Sequence, residues 1–341
     1  MIPVAVIGAG TFGRQHARVY RELPEADLVG VYDSDAGRTQ AVAGEFGCRA
    51  FASLDEAAAS VRAATVAVPT ASHAAVGCAL LERGVDVLVE KPIASSLPDA
   101  DRLLETAQRA GRLLQVGHLE RYNPAVTAVR KVVTRPLFFE VHRLSVFTPR
   151  SLDVDVVLDV MIHDLDIVLA LAGGEVEEVR AAGLPILSPK IDIANVRVAF
   201  DNGCVANFTA SRVSTERVRK LRFFQPGQYI SLDYSRQDVV VFSVDAGPEG
   251  QPQPGSQPRI SRQALLGDSF GRHAGQPHEE PLRAEVRDFL ECVRTRRAPL
   301  VGGAEGRRAL DLALRIVAAI DEHNRRLSLG NSPVAAVNGH A

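Results

Sequence analysis

A doubly wound parallel α/β sheet followed by an α+β domain with a largely antiparallel sheet is the fold class this sequence predicts. Three observations predict it. Short apolar runs alternate with helical patterns through residues 1–123, the signature of parallel strands joined by crossover helices. Gly8-Ala9-Gly10-Thr11-Phe12-Gly13 stands directly between the first apolar run and the first helix. From Pro124 onward, extended runs follow one another with turn residues between them, which favours antiparallel pairing.

The elements follow in order. Residues 2–7 form a continuous apolar run suited to a central parallel strand. A helix is expected over 11–22, a strand over 28–32, a helix over 35–46 and a short strand over 65–68, ended by Pro69-Thr70. Ser72 can cap the next helix, which runs toward Arg83. Residues 85–89 read as a strand, 98–110 as a helix and 113–116 as the last strand of this part. In the second part a helix over 124–133 leads to a strand over 137–146, then to one amphipathic helix over 155–171. Extended runs follow at 176–187, 191–200, 205–212, 229–233 and 239–244. Asp201-Asn202-Gly203 is a hairpin signal between two of them. The Gly-, Pro-, Gln- and Ser-rich stretch 246–278 reads as a mobile loop. Helices are expected at 282–294 and 303–324, with a disordered tail at 326–341. The domain division is then 1–123 and 124–325.

Bulk properties narrow the function classes. A chain of 341 residues is long enough for two domains, and 46% apolar with 23% charged residues is ordinary for a soluble globular protein. A net charge of -2 offers no global attraction to nucleic acid or to a membrane. Cys48, Cys78, Cys204 and Cys292 form no CxxC pair, so buried free thiols are expected rather than a zinc ribbon or a redox dithiol. The N-terminal run lacks a preceding basic region and continues into a glycine turn, so it reads as a strand rather than a signal peptide. The expected compartment is the cytoplasm.

The glycine turn points to a dinucleotide. Gly8 permits the tight turn, Gly10 lets backbone approach a pyrophosphate, and Gly13 lets helix and strand pack closely. The helix N-terminus then faces the phosphates. Asp33 lies twenty residues after Gly13, at the end of the second strand. A carboxylate there accepts hydrogen bonds from ribose hydroxyls and repels a 2′-phosphate. The expectation is a Rossmann domain for NAD, with NADP kept open by Arg38. Pro69, Thr70 and His73 fall at the same sheet edge and are candidates for the nicotinamide half, although His73 could equally be a solvated helix start.

Glu90-Lys91-Pro92 follows the strand at 85–89. Ligands of open α/β sheets sit beyond the carboxyl ends of the strands. A lysine there, fixed by the following proline, can place a cation on a substrate oxygen beside the cofactor. Thr11, Phe12, Glu90, Lys91 and His118 complete the residues expected at the cofactor. Farther on, Asp155, Asp159, His163 and Asp166 recur at spacings of four, four and three, one face of a regular helix. His163 suits proton transfer near neutrality, and a carboxylate one turn away can orient its ring. The bland alternative is a solvated helix face with a chance histidine. No second histidine or cysteine lies nearby on that helix, so no metal site is expected.

Three segments carry a resemblance: Gly8-Ala9-Gly10-Thr11-Phe12-Gly13, Glu90-Lys91-Pro92, and Asp159-Val160-Met161-Ile162-His163-Asp164-Leu165-Asp166. With the order of elements they resemble the Gfo/Idh/MocA oxidoreductases, up to about residue 325. The resemblance implies that Lys91 and His163 handle the proton and that Asp159 positions substrate or histidine. It also implies a homodimer or homotetramer. Met161 stands where the family often has glycine, which could narrow the cleft. Gly117-His118-Leu119-Glu120-Arg121-Tyr122-Asn123-Pro124 and Arg219-Lys220-Leu221-Arg222-Phe223-Phe224 further resemble the UDP-N-acetylglucosamine 3-dehydrogenase subgroup, which supplies lipid A amino-sugar synthesis. From the residues alone, Arg121, Tyr122 and Asn123 open toward the cleft. Arg212, Arg217, Arg219, Lys220 and Arg222 form a basic cluster suited to a diphosphate, or a strand edge blunted by charge. The substrate contacts expected are Lys91, Arg121, Tyr122, Asn123, Asp159, His163 and Arg219. The expected activity is oxidation of a secondary hydroxyl of a sugar or sugar nucleotide, best C3 of UDP-N-acetylglucosamine. Alternatives are an inositol or free-sugar dehydrogenase, an NAD-recycling glycoside hydrolase, or a non-catalytic NAD-binding sensor.

Overall fold

Strands with no polar face need cover on both sides, and the first part of the chain supplies it with helices. The computed structural model describes residues 1–147, 154–245, 259–266 and 279–327. Its first part runs β1 (Ile2–Ile7), α1 (Thr11–Glu22), β2 (Ala26–Tyr32), α2 (Ala36–Phe46), β3 (Arg49–Ala50), α3 (Leu54–Ser60), β4 (Ala63–Val66), α4 (His73–Glu82), β5 (Asp86–Glu90), α5 (Leu97–Ala110) and β6 (Leu114–Gly117). The six strands pair in parallel, in the order β3-β2-β1-β4-β5-β6. This is the doubly wound sheet expected.

Two elements escaped the sequence reading, β3 and α3. A strand of two residues carries no period, and Leu54-Asp55-Glu56-Ala57-Ala58-Ala59-Ser60 shows no apolar stripe. Its start signal was legible, since Ser53 accepts the Glu56 N–H as an N-cap. Ser72 is a correction. A 3-10 turn, Thr70–Ser72, precedes α4, and the Ser72 side chain makes no capping hydrogen bond.

The second part runs α6 (Pro124–Val129), β7 (Phe138–Leu144), a π-helical turn (Val157–Met161), α7 (Ile162–Ala172), β8 (Val176–Leu184), β9 (Ile193–Phe200), β10 (Val205–Ser211), β11 (Val218–Gln225), β12 (Gln228–Asp233), β13 (Asp238–Asp245) and β14 (Arg259–Leu266). The eight strands lie in the order β14-β13-β12-β11-β7-β10-β9-β8, antiparallel except for β7 with β10. Asp201-Asn202-Gly203 turns β9 into β10, with Gly203 at φ 83° and its N–H on the Phe200 carbonyl. Alternate residues of β9 and β10, Ala194, Val196, Val198, Ala206, Phe208 and Ala210, are buried on one face, and the π-helical turn packs on β10.

Two expectations are corrected here. Strand β11 lies inside the sheet, between β12 and β7, so its cations blunt no edge. The stretch 246–278 contains β14, paired with β13. The rest of that stretch, and the tail beyond Leu327, lie outside the described residues.

Helices α8 (Pro281–Thr295) and α9 (Gly303–Arg326) complete the chain. One compact unit comprises Met1–Tyr122 with Glu279–Asp311, and the other the described residues of Asn123–His278 and Leu312–Ala341. The segment at 279–311, expected in the second domain, thus groups with the first. The reason is apolar. Leu282, Val286, Phe289, Leu290 and Val293 of α8 join Val4, Val19, Tyr20 and Leu28 in one buried core.

Candidate functional site

The glycine turn of the first unit has the geometry the motif requires. Gly8 sits at φ 104°, and a Cβ there would lie 2.4 Å from the Ala67 carbonyl oxygen. A Cβ on Gly13 would lie 1.7 Å from the Gly8 carbonyl oxygen, so α1 can approach β1 only with glycine. Gly10 differs, because nothing lies within 4 Å of where its Cβ would be. The open space lies on the ligand side. Gly10 is the N-cap of α1, with no side-chain cap and no acidic residue in the first turn. Thr11 and Phe12 are exposed beside it. An uncapped helix start with free space before it fits a pyrophosphate.

Asp33 holds this loop from the end of β2. Its Oδ2 accepts the Ala9 N–H at 2.8 Å and its Oδ1 accepts the Asp35 N–H at 2.9 Å. The same carboxylate stands where the ribose of the dinucleotide is read. Arg38 is engaged with Asp35 at 3.1 Å.

At the edge beyond β4 and β5, Pro69 is exposed and Thr70 half-buried. His73 is neither exposed nor solvated. It is 1% accessible, and its two ring nitrogens lie 2.9 Å from the carbonyls of Pro92 and Val68. Burial pushes its pKa down, and a neutral ring donates through one nitrogen at a time. His73 straps the turn after β5 to the turn after β4. Between them, Lys91 is half-buried and joined to Pro92 by a cis peptide bond.

Glu90 is buried at the end of β5. Its Oε1 lies 2.7 Å from His16 Nε2 of α1, and its Oε2 accepts the Lys91 N–H at 3.3 Å. Burial alone would push the Glu90 carboxyl up. The His16 hydrogen bond and the nearby Lys91 and His73 hold it below the usual carboxylate range. His16 is a functional candidate the sequence reading missed. Only its position on α1 facing the sheet could have drawn attention to it.

The segment after β6 splits by role. His118 and Arg121 are buried. Tyr122 donates its hydroxyl to Asp288 Oδ2 at 2.7 Å, and burial with the Asp288 charge pushes its pKa far up. Asn123 caps α6 by accepting the Ala125 N–H, and its amide donates to the Tyr234 carbonyl. The substrate contacts expected of Tyr122 and Asn123 meet this obstacle: their polar ends are already engaged within the protein.

In the second unit the helix predicted as one regular element begins with the π-helical turn, so the four-residue spacing does not hold across it. Asp155 lies before the turn, and its Oδ1 accepts the Ile191 N–H at 2.9 Å. Asp164 and Asp166 are buried, whereas Asp159 and His163 are half-buried. These two are the members of the stripe that remain for ligand. Met161 is 1% accessible and belongs to the core rather than to a cleft wall. Asp164 makes a buried bidentate pair with Arg143 of β7, at 2.6 and 2.9 Å, and Arg143 lies over the Tyr234 ring. The residue next to His163 is thereby bolted to the sheet.

The basic cluster does not act as one patch. Arg212 is buried on Asp192 at 2.7 Å and donates to the Val154 carbonyl, a structural pair. Along β11 side chains alternate between faces. Arg222 pairs with Glu140 on the face away from buried Leu221 and Phe223. Arg219 shares the Leu221 face and lies opposite Arg143 in register. It is exposed, so of the three β11 cations it is the one on the face of α7 and His163.

Among the described residues no cluster of His, Cys, Asp and Glu is arranged to hold a metal ion, and no helix is long and apolar enough to cross a membrane.

Comparison with known proteins places the chain. Residues 2–118 match an oxidoreductase family with an NAD-binding Rossmann fold, and residues 126–225 match the GFO/IDH/MocA C-terminal domain. A UDP-N-acetylglucosamine 3-dehydrogenase of Acidithiobacillus ferrooxidans is 38% identical over 322 residues, covering 94% of this chain and 98% of that protein. The scyllo-inositol 2-dehydrogenase (NAD+) of Bacillus subtilis is 26% identical over 320 residues, covering 87% of each. The solved structure of the Acidithiobacillus enzyme superimposes with a TM-score of 0.84 at 35% identity, covering 94% of this chain and 98% of that one. Glycine turn, acidic strand end and lysine turn thus recur in a known context, and the chain belongs to the GFO/IDH/MocA family of NAD-binding oxidoreductases.

Proposed function

We propose that this protein is an NAD-dependent dehydrogenase that oxidises the C3 hydroxyl of UDP-N-acetylglucosamine. The observation that carries the reading is near full-length likeness to a UDP-N-acetylglucosamine 3-dehydrogenase, at 38% identity. Inositol dehydrogenases are more distant at full length.

In this reading Lys91 and His163 meet the substrate hydroxyl. The Lys91 ammonium stabilises the developing alkoxide, and His163 or Lys91 accepts the hydroxyl proton. NAD supplies the hydride acceptor. Asp159 orients the substrate or the His163 ring, and exposed Arg219 takes the diphosphate. Cytoplasm is the compartment that offers both NAD and sugar nucleotide. The test is NADH formation over a panel of UDP-N-acetylglucosamine, other UDP-sugars, free hexoses and inositols. Fastest turnover with an inositol would overturn the substrate. Substrate consumption without NADH would point to oxidation, elimination and re-reduction in one site. Lys91→Met and His163→Ala are each expected to lower kcat by about 10²–10⁴ while NAD still binds. Unchanged turnover in either variant removes that residue from the mechanism.

The protein acts as a homodimer or homotetramer in the same reading. Supporting it, Phe138, Phe224, Tyr229 and Phe242 form a ladder with ring centroids 4.9–6.0 Å apart. Phe224 and Ile260 remain 41% and 67% exposed, an apolar patch suited to a second copy. Light scattering on the protein and on Phe224→Glu tests this. A wild-type monomer contradicts it.

A further inference from the structure

A buried carboxyl group that the reaction does not use lies behind the Lys91 turn. Glu285 of α8 is 0% accessible, and neither carboxyl oxygen has a hydrogen-bond partner among the described residues. Helix α8 reaches this place because Gln115 of β6 donates to the Glu285 backbone carbonyl at 3.4 Å. Two residues farther along β6 is Gly117, in register with Glu90. A Cβ on Gly117 would lie 3.2 Å from the Cα, Cδ and Oε2 of Glu90. The missing side chain is what gives Glu90 its room.

Two carboxyl groups share this interior, and their surroundings differ. Glu90 has the His16 ring and the Lys91 N–H. Glu285 has no donor, and burial together with the charges of Glu90 and Asp288 pushes its pKa well above the usual carboxylate range. Tyr20 and Tyr122 are the other titratable groups that feel its charge, and His16, Lys91 and His73 those that act on Glu90. Neighbouring carboxyls that cannot both ionise divide the roles by environment: the one with donors takes the charge and the other keeps its proton.

We propose that Glu90 is the positioning residue of Lys91, an anion seated by His16 and Gly117, and that Glu285 is the uncharged acid beside it that leaves the charge on Glu90. The anion favours the cationic amine and holds the backbone of its turn.

The proposal rests on Lys91 as a proton-handling residue, and its test separates the two. Infrared spectra of the full chain near pH 7 should show a protonated-carboxyl band that Glu285→Gln removes. A wild-type spectrum without that band overturns the proposal, whatever Lys91 does. Acetylation of Lys91 by acetic anhydride across pH, read by peptide mass spectrometry, gives the titration midpoint of the amine without substrate. Glu90→Gln should lower that midpoint by about 1 pH unit or more, and Glu285→Gln should leave it in place. Equal shifts in both variants would mean two charged carboxylates and would overturn the proposal.

Gly117→Ala keeps every charge and asks Glu90 to give way by tenths of an ångström. It should lower kcat at least about threefold with KM unchanged, and an unchanged kcat counts against positioning even if Glu90→Gln fails to fold. Full turnover in Lys91→Met would sink the catalytic reading alone, leaving the band and the midpoints as they stand.

Discussion

The two units prepare their functional side chains in opposite ways. In the first, function rests on backbone and on side chains that are absent: Gly8, Gly10 and Gly13 shape the turn, α1 starts uncapped, and Gly117 makes room for Glu90. In the second, function rests on side chains locked by buried charge. Arg143 grips Asp164 beside His163, and Arg212 grips Asp192 and the Val154 carbonyl just before the π-helical turn. The difference follows from the ligand each part must meet. A pyrophosphate is bound by N–H groups and needs space, whereas a hydroxyl needs a ring and a carboxylate at fixed positions.

The largest expected effect breaks the second arrangement. Arg143→Ala leaves Asp164 buried and uncompensated, and should cost about 3–5 kcal/mol in urea unfolding. Arg143→Met with Asp164→Leu removes both charges and should cost far less. A similar loss in both would show that packing, rather than the unpaired charge, holds α7.

Asp192 tests the smaller anchor through pH. Burial raises its carboxyl, but hydrogen bonds from Ser188, Arg212 and the N–H groups of Ile186 and Leu187 outweigh this and bring its pKa to about 2. A depressed carboxylate stabilises the fold fully above its unfolded value, and that stability is lost as pH falls through the folded one. The contribution, about 2 kcal/mol from the size of the shift, should therefore disappear between about pH 4 and pH 2. Asp192→Asn should remove that part of the acid transition. An identical acid profile in the variant would contradict this role.

Gly13→Ala and Gly10→Ala sharpen the first arrangement. Alanine at 13 drives a methyl into the Gly8 carbonyl and should destabilise by about 1–3 kcal/mol. Alanine at 10 meets no protein atom, so stability should change by less than about 1 kcal/mol while NAD affinity falls. Calorimetric titration with NAD checks it, and undiminished binding would place the pyrophosphate elsewhere.

Legibility followed the range of the interactions. The parallel strands, the glycine turn, the Asp33 strand end, the Asp201-Asn202-Gly203 hairpin and the placement of Lys91 just after a strand all arise from near neighbours in sequence, and all could be read there. Tyr122, Asn123 and Arg212 also looked available locally. Their partners Asp288, Tyr234 and Asp192 lie 20 to 166 residues away, and no local pattern announces them. His73 was misjudged as a possible solvated helix start for the same reason, since its straps to Val68 and Pro92 depend on two strand ends meeting.

What the sequence determined by itself was the class of fold, the cofactor turn and the candidacy of Lys91, Asp159 and His163, because hydrophobic period and backbone freedom are local properties. Tertiary structure alone decided that α8 returns to the first unit, that a π-helical turn interrupts the acidic stripe, that β11 lies inside its sheet, and that Glu285 comes to rest in the interior with Glu90 and His16. Those outcomes depend on which buried surfaces and charges meet across long stretches of chain, and only the folded chain brings them together.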